Sequence, residues 1–325
     1  MKKATFLLLY TKNKQQDFRW RLKTQNFYFF DKSQSVQKNI CDFSCFLKKS
    51  IIFVKKIKNM NLNIKNRIFI ALFIISISIS GFSQESKLKH FEFYSKSLGE
   101  IRKLTIYIPE NFNSNNSYNV VFCTDGQLIN EQYKNKLDSL FKTDIVSPLV
   151  IIGINSNEKT ITNSIFEYRN FEYIENQSSD DSDLNTRFKR HLNFFVKEID
   201  EYIEKELNLK INNKYFYGVS NGADFGVSLS IYYPDLFSKY ILYSMAGQNY
   251  KNLKWNSNKY PFFIIRCGNE EPEPFINASK NLSKYLAKKH YTHIFDIYNG
   301  GHNREKWMNL FIKDLEKLEN NNTKF

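Results

Sequence analysis

The stretch "K-Y-F-Y-G-V-S-N-G-A-D-F-G", residues 214 to 226, sets a serine between two glycines where a strand-like run passes into a helical one. A serine hydroxyl is a poor nucleophile on its own, so its chemistry depends on how the backbone presents it and on a base nearby. Gly218-Val219-Ser220-Asn221-Gly222 fits the G-x-S-x-G elbow, a sharp strand-to-helix turn that exposes the hydroxyl for attack on an acyl carbon. Glycines two before and two after the serine avoid a collision of side chains. The helix that follows adds the field of its N-terminus and one oxyanion donor, the Asn221 N–H. A Gly-lined turn with no chemistry would show the same glycines. The partners decide between the two.

A base must follow the serine in chain order for this fold, with an acid between them. Of five histidines, His90 and His191 precede Ser220, His290 closes a Lys-rich helix and His293 opens a strand. His302, in "I-Y-N-G-G-H-N-R-E-K-W", lies just past the C-terminal end of a strand. That edge is where an open α/β sheet keeps its active site. The acid should end the preceding strand, and "F-F-I-I-R-C-G-N-E-E-P-E-P" offers Glu270, Glu271 and Glu273 without choosing among them.

Positioning these groups needs a sheet. "L-T-I-Y-I-P", "Y-N-V-V-F-C-T-D-G", "P-L-V-I-I-G-I-N", "K-Y-F-Y-G", "K-Y-I-L-Y-S", "P-F-F-I-I-R-C-G" and "T-H-I-F-D-I-Y" are short, β-branched or aromatic, and several are apolar throughout. Such runs indicate parallel strands covered on both faces. Amphipathic helices fall between them: Phe188–Leu207 aligns Leu192, Phe195, Val196, Ile199 and Ile203, and the last helix aligns Trp307, Leu310, Phe311, Leu315 and Leu318. The pattern predicts an α/β fold with a mostly parallel doubly wound sheet, opened by an antiparallel edge hairpin at "F-E-F-Y-S-K-S-L-G-E-I-R-K-L-T-I-Y-I". Asn155 to Thr186 reads as one long loop after a strand. Its Phe166, Tyr168, Phe171, Tyr173 and Arg169 suit a pocket wall, with Arg169 as a substrate-binding residue or the partner of Glu172 or another carboxylate. Its acidic end, Asp180–Asp183, suits a solvated hinge.

The formal charge of +14 comes from 47 Lys and Arg against 33 Asp and Glu, but 16 of the basic and only 3 of the acidic residues lie in Met1–Arg67. The remaining 31 and 30 nearly cancel, so the rest of the chain has no basic stripe for nucleic acid. Residues 60 to 84, "M-N-L-N-I-K-N-R-I-F-I-A-L-F-I-I-S-I-S-I-S-G-F-S-Q", have a basic start, an apolar run and small residues at Gly81 and Ser83. This layout predicts a signal peptide over 60–83 cleaved after Ser83, with Met60 as the start and 1–59 as an over-extended basic segment. Residues 84–325 then form the folded domain, secreted or periplasmic. Uncleaved, 68–82 would act as a signal-anchor. Cys41 and Cys45 fall in the prefix; Cys123 and Cys267 read as buried free thiols.

With these residues in hand, the chain from about Phe91 to Leu318 resembles an esterase family of α/β-hydrolases. That family has enterochelin-esterase-like, feruloyl/acetyl-xylan esterase and S-formylglutathione hydrolase branches. The matching pieces are "R-K-L-T-I-Y-I-P", "V-V-F-C-T-D-G-Q", "Y-R-N-F-E-Y", "G-V-S-N-G" with "Y-P-D-L-F", "C-G-N-E-E-P" and "G-G-H-N-x-x-x-W". The resemblance implies the α/β-hydrolase fold, Glu271 as the acid, and a second oxyanion N–H from Gln127 with Gly126 beside it. It implies a small-molecule ester or thioester substrate. The serine mechanism calls for no metal or organic cofactor, and the near-neutral charge of residues 68–325 predicts no nucleic-acid partner, nor a membrane one once the signal is removed. The chain departs from the family in having Glu where many members have Asp, Asp224 where a small or apolar residue is common, and no H-G-G-G. A non-catalytic member that binds a ligand or partner in the same crevice is the alternative.

Overall fold

A computed structural model describes residues 84–247 and 261–320. The expected signal peptide at 60–83, the basic segment before it, Cys41 and Cys45 lie outside those residues. Among the described residues no helix is long and apolar enough to cross a membrane.

Eight strands form one sheet: β1 (Lys87–Ser95), β2 (Glu100–Ile108), β3 (Ser117–Thr124), β4 (Val150–Ile154), β5 (Lys210–Val219), β6 (Lys239–Tyr243), β7 (Phe262–Gly268) and β8 (His293–Tyr298). Their order is β1-β2-β4-β3-β5-β6-β7-β8. The hairpin β1–β2 is antiparallel, with Ser95 opposite Glu100, and β2 joins β4 antiparallel. Every pairing from β4 through β3 to β8 is parallel. This is the predicted α/β-hydrolase architecture with its antiparallel edge. Composition explains the placement. "V-I-I-G-I" of β4 is buried throughout and sits inside the sheet, whereas β1 and β8 keep exposed positions at the two edges.

Among the described residues the α-helices are α1 (Glu131–Phe141), α2 (Tyr168–Tyr173), α3 (Ser182–Asn193), α4 (Ile199–Leu207), α5 (Asn221–Tyr232), α6 (Glu273–Lys288) and α7 (Arg304–Asn320). Residues of α3 to α6 share one core cluster with one face of the sheet, and α1 and α7 share the second with the other face. β3 feeds both, with Val120 and Phe122 on one side and Val121 and Cys123 on the other. Cys123 and Cys267 are free and buried.

The segment read as one loop from Asn155 to Thr186 differs in two ways. It contains α2, closed at its start by a box in which the Glu167 side chain takes an N–H of the first turn and Asn170 takes the Glu167 N–H. Its acidic end is no hinge: Asp181 accepts the Asp183 N–H at 2.8 Å and caps α3, and Asp183 pairs with Arg190 at 2.6 Å. The helix expected from Phe188 therefore begins at Ser182. It runs on to Leu207 through a π turn, Phe194–Glu198, which lets two consecutive aromatics, Phe194 and Phe195, both enter the core.

Under α2 and α3 lies a buried charge network. Glu172 is fully buried between Arg102 (2.5 and 3.1 Å) and Arg187 (2.7 and 3.1 Å), and Glu100 joins both guanidiniums from a more exposed position. His191 is fully buried beside it, ringed by Tyr173, Phe194, Phe195 and Phe225. Burial, and then the charges of Arg102 and Arg187, push this imidazole well below the ordinary 6.5. The folded protein thus holds His191 neutral while the unfolded chain protonates it. Stability from this group is full above about pH 6.5 and falls as pH drops below it, at about 1.4 kcal/mol per pH unit for one proton. Urea unfolding at pH 5.0 and 7.0 should show this loss in the native sequence, and His191→Phe should flatten it. Equal slopes in the two proteins would remove His191 as the cause.

Candidate active site

β5 carries the chain to Val219, and the Ser220 N–H continues the sheet by donating to the Tyr243 carbonyl at 2.9 Å. Ser220 itself takes φ 55° and ψ −129°, a strained conformation for a residue with a side chain, and α5 starts at once with Asn221. The two flanking glycines are required by contact. A Cβ on Gly218 would stand 2.4 Å from the Gly222 carbonyl oxygen, and one on Gly222 would stand 2.2 Å from Thr124 Oγ1. The expected collision thus falls on backbone and on Thr124. As the first residue of α5, Asn221 has no intrahelical acceptor for its N–H.

β3 ends in the turn that carries Gly126 and Gln127. Asp125 adopts the left-handed conformation (φ 56°, ψ 44°), and a 3-10 turn over Gly126–Leu128 follows, with the Leu128 N–H donating to the Asp125 carbonyl at 2.9 Å. The Gln127 side chain is held away from its own backbone. Its Nε2 donates to Ser156 Oγ at 2.6 Å and to Glu158 at 2.8 Å, while its Oε1 accepts the Ser156 N–H at 3.1 Å.

The loops after β7 and β8 are laced together: Asn269 N–H donates to Tyr298 O at 2.9 Å and Glu270 N–H to Gly300 O at 3.1 Å. Of the three candidate acids, Glu270 and Glu273 are exposed and Glu271 is buried. Glu271 Oε2 lies 3.4 Å from His302 Nδ1. Its Oε1 accepts from Ser244 Oγ, from Tyr298 OH at 2.8 Å and from Gly268 N–H at 3.0 Å. Burial works against the charge on Glu271, but the bonds from His302, Ser244, Tyr298 and Gly268 outweigh it and hold the carboxyl below the usual range. Trp307, in the first turn of α7, donates Nε1 to both Ser244 Oγ (3.0 Å) and Tyr298 OH (2.9 Å) and meets the His302 ring edge-on at 4.6 Å. Ser244, Tyr298 and Trp307 were not singled out as site residues from the sequence. Trp307 carried a signal in the G-G-H-N-x-x-x-W motif; Ser244 carried none.

Ser220 and His302 line one cleft of about 270 Å³, together with Asp125, Gln127, Glu158, Arg169, Arg304 and Trp307. Beyond Gln127 and Glu158, which border both, a hollow of about 390 Å³ is lined by polar side chains such as Lys103, Asn155 and Asn157 together with the exposed Ile101. Arg169 thus reaches the cleft, but the aromatics expected beside it do not. Phe171 and Tyr173 are buried in the core, and Tyr168 stacks under Arg187 at 4.4 Å. The carboxylate that Arg169 meets is Asp125, at 2.6 and 2.8 Å; Glu172 is taken by Arg102 and Arg187. Asp224 is fully buried in α5, and its Oδ2 accepts the N–H groups of Ala246 (2.8 Å) and Gly247 (3.2 Å), so the departure from an apolar residue ties down the loop after β6.

A family model for esterases matches residues 95–318 of the chain. The uncharacterized protein YjcH of Bacillus subtilis is 22% identical over 261 residues, covering 74% of this chain and 98% of its own. Among solved structures, the siderophore hydrolase EstA of Aspergillus nidulans aligns over 71% of this chain and 94% of its own, at 15% identity and a TM-score of 0.56. The ferulic acid esterase of Anaeromyces mucronatus, in complex with ferulic acid, covers 73% and 92%, at 16% identity and a TM-score of 0.54. The S-formylglutathione hydrolase of Staphylococcus aureus covers 71% and 98%, at 14% identity and a TM-score of 0.51. These three likenesses are of fold.

Proposed function

Because the chain belongs to the esterase family, its match spanning residues 95–318, we propose that it is a serine esterase that works through an acyl-enzyme on Ser220. The observation that carries this reading is the strained Ser220 backbone at the strand–helix elbow, in one cleft with His302, whose Nδ1 faces the buried Glu271.

In this mechanism Ser220 Oγ attacks the ester carbonyl carbon as His302 Nε2 takes the hydroxyl proton. The carbonyl π electrons move to oxygen, and that oxyanion is held by the N–H groups of Asn221 and Gln127, with Gly126 shaping the turn. Collapse expels the alcohol, which His302 protonates. Water, deprotonated by His302, then attacks the acyl-enzyme carbonyl; collapse of that adduct breaks the bond to Ser220 Oγ, which takes the proton back from His302, and the acid is freed. Glu271 keeps the Nδ1 proton in place and balances the imidazolium. The cleft volume, just below the usual range for ligand pockets, suits a compact ester, and the hollow beyond Gln127 leaves room for a longer substrate arm. Feruloyl, siderophore and thioester substrates, named for the structural relatives, are the classes to screen. The layout of residues 60–83 supports action outside the cytoplasm or in a periplasm.

Treatment with a fluorophosphonate should add one phosphonyl group, and mass spectrometry of the digest should find it on the peptide holding Ser220. Prior denaturation should prevent the reaction, because an unassisted serine hydroxyl is inert. A label on any other residue, or none while p-nitrophenyl acetate is being hydrolysed, would remove Ser220 as nucleophile.

A further inference from the structure

Resting on the serine-esterase reading, we propose that Arg169 serves the reaction through Asp125: it fixes the turn that presents the Gln127 N–H and cancels a carboxylate charge beside the oxyanion site. Arg169 is then a positioning residue.

Three contacts converge on Asp125 from α2. Arg169 grips the carboxylate at two points, Nε to Oδ1 at 2.6 Å and Nη2 to Oδ2 at 2.8 Å. The guanidinium lies 4.8 Å over the Tyr173 ring, and the Tyr173 hydroxyl accepts the Asp125 N–H at 3.3 Å. Backbone and side chain of Asp125 are thus both held by a six-residue helix. Asp125 needs holding, because its φ of 56° is a conformation that few residues adopt unaided, and the two residues after it form the turn proposed to supply the oxyanion N–H. If the Asp125 peptide relaxed, the Gln127 N–H would turn with it.

The carboxylate also lies close to the elbow. Asp125 Oδ2 is 3.1 Å from where a Cβ of Gly222 would stand, at the second residue of α5. A bare carboxylate there would oppose the field of the helix N-terminus, which the developing oxyanion uses. With only 5% of its side chain exposed, Asp125 receives little screening from water, so its charge has to be met by a neighbour. Arg169, buried except for 17% of its side chain, meets it. A residue used this way changes the stability of the tetrahedral intermediate more than the binding of the neutral ester.

The test separates kcat from KM and adds a mimic of the intermediate. Trifluoroacetophenone accepts the serine oxygen at its carbonyl carbon, the hydroxyl proton passes to His302, and the carbonyl oxygen becomes an oxyanion. Arg169→Gln should lower kcat for p-nitrophenyl acetate roughly 10- to 100-fold with KM within about twofold, and weaken trifluoroacetophenone by the same factor as kcat. Asp125→Asn added to Arg169→Gln removes the uncompensated charge and should recover the mimic's affinity about three- to tenfold, leaving the loss due to the missing grip. A raised KM with kcat and mimic binding intact would make Arg169 a substrate contact and overturn the proposal, as would a double variant no better than the single. Should Arg169→Gln fail to fold, Arg169→Lys keeps the charge but loses the two-point grip. It should lower kcat about three- to tenfold at unchanged KM, and an unchanged kcat overturns the proposal. Native protein that does not bind trifluoroacetophenone removes the serine reading and this inference together; binding that is equal in the native and Arg169→Gln proteins overturns this inference alone.

Discussion

Ser220→Ala should lower kcat for a simple ester by roughly 10⁵- to 10⁶-fold, the loss expected when a nucleophile that acts as a unit with its base is removed. What survives reflects binding and the oxyanion donors alone. The fold should not suffer. The Ser220 N–H bond to Tyr243 O at 2.9 Å is made by backbone, and alanine keeps it. The elbow adds a second readout. Ser220 is strained at φ 55° and ψ −129°, and alanine bears the same strain, but glycine does not. Ser220→Gly should therefore be as inactive as Ser220→Ala and more stable by about 1–3 kcal/mol, seen as a higher Tm. Residual activity above about 1% of native in either variant would mean that another group attacks the ester. Equal Tm values for the glycine and alanine variants would mean that the elbow stores no strain.

The elbow around Ser220 was legible from sequence because its constraints are local. Strand, turn, glycines and helix lie within a dozen residues, and each leaves a mark on residue type. His302 was legible for a similar reason: two glycines and a strand end bracket it. The sheet was legible because its inner strands are apolar throughout, and β1 opens it at a polar edge. Which of the candidate acids would face His302 was harder to read. Glu270, Glu271 and Glu273 share one short segment, and what separates them is burial, set by the approach of two loops far apart in the chain. A Cβ on Gly268 would stand 2.0 Å from the Gly300 carbonyl oxygen, so the two loops meet closely there, and Glu271 is held inside by the Gly268 N–H, Ser244 and Tyr298. The Arg169 to Asp125 contact spans 44 residues and exists only once α2 has formed. α2 was missed because its box runs on Glu167 and Asn170, an unusual pairing at these two positions. Ser244 carries no pattern at all: its hydroxyl matters because Trp307 and Glu271 come to it from other elements.

Glu271→Gln should lower kcat by roughly 10²- to 10⁴-fold, and the hydrogen bonds around it say why. Gln has one oxygen and one NH₂ where Glu has two oxygens, so the replacement must choose an orientation. On the Oε1 side the Gly268 N–H can only donate, at 3.0 Å, and the Ser244 and Tyr298 hydroxyls, which accept from Trp307, direct their protons to the same oxygen. The glutamine oxygen must take that place. Its NH₂ then faces His302 Nδ1, which Glu271 Oε2 approaches at 3.4 Å. An NH₂ there donates to Nδ1 and moves the imidazole proton to Nε2, the nitrogen that has to accept from Ser220. The variant thus loses the countercharge and gains the wrong tautomer, while packing is almost unchanged. KM for p-nitrophenyl acetate should stay within about threefold, so the loss appears in kcat. Glu270→Gln and Glu273→Gln, both at exposed carboxylates, should stay within about twofold of native. If Glu271→Gln is as mild as they are, the site works as a Ser–His dyad. If one of them is severe instead, the acid lies there and the buried carboxylate only supports the fold.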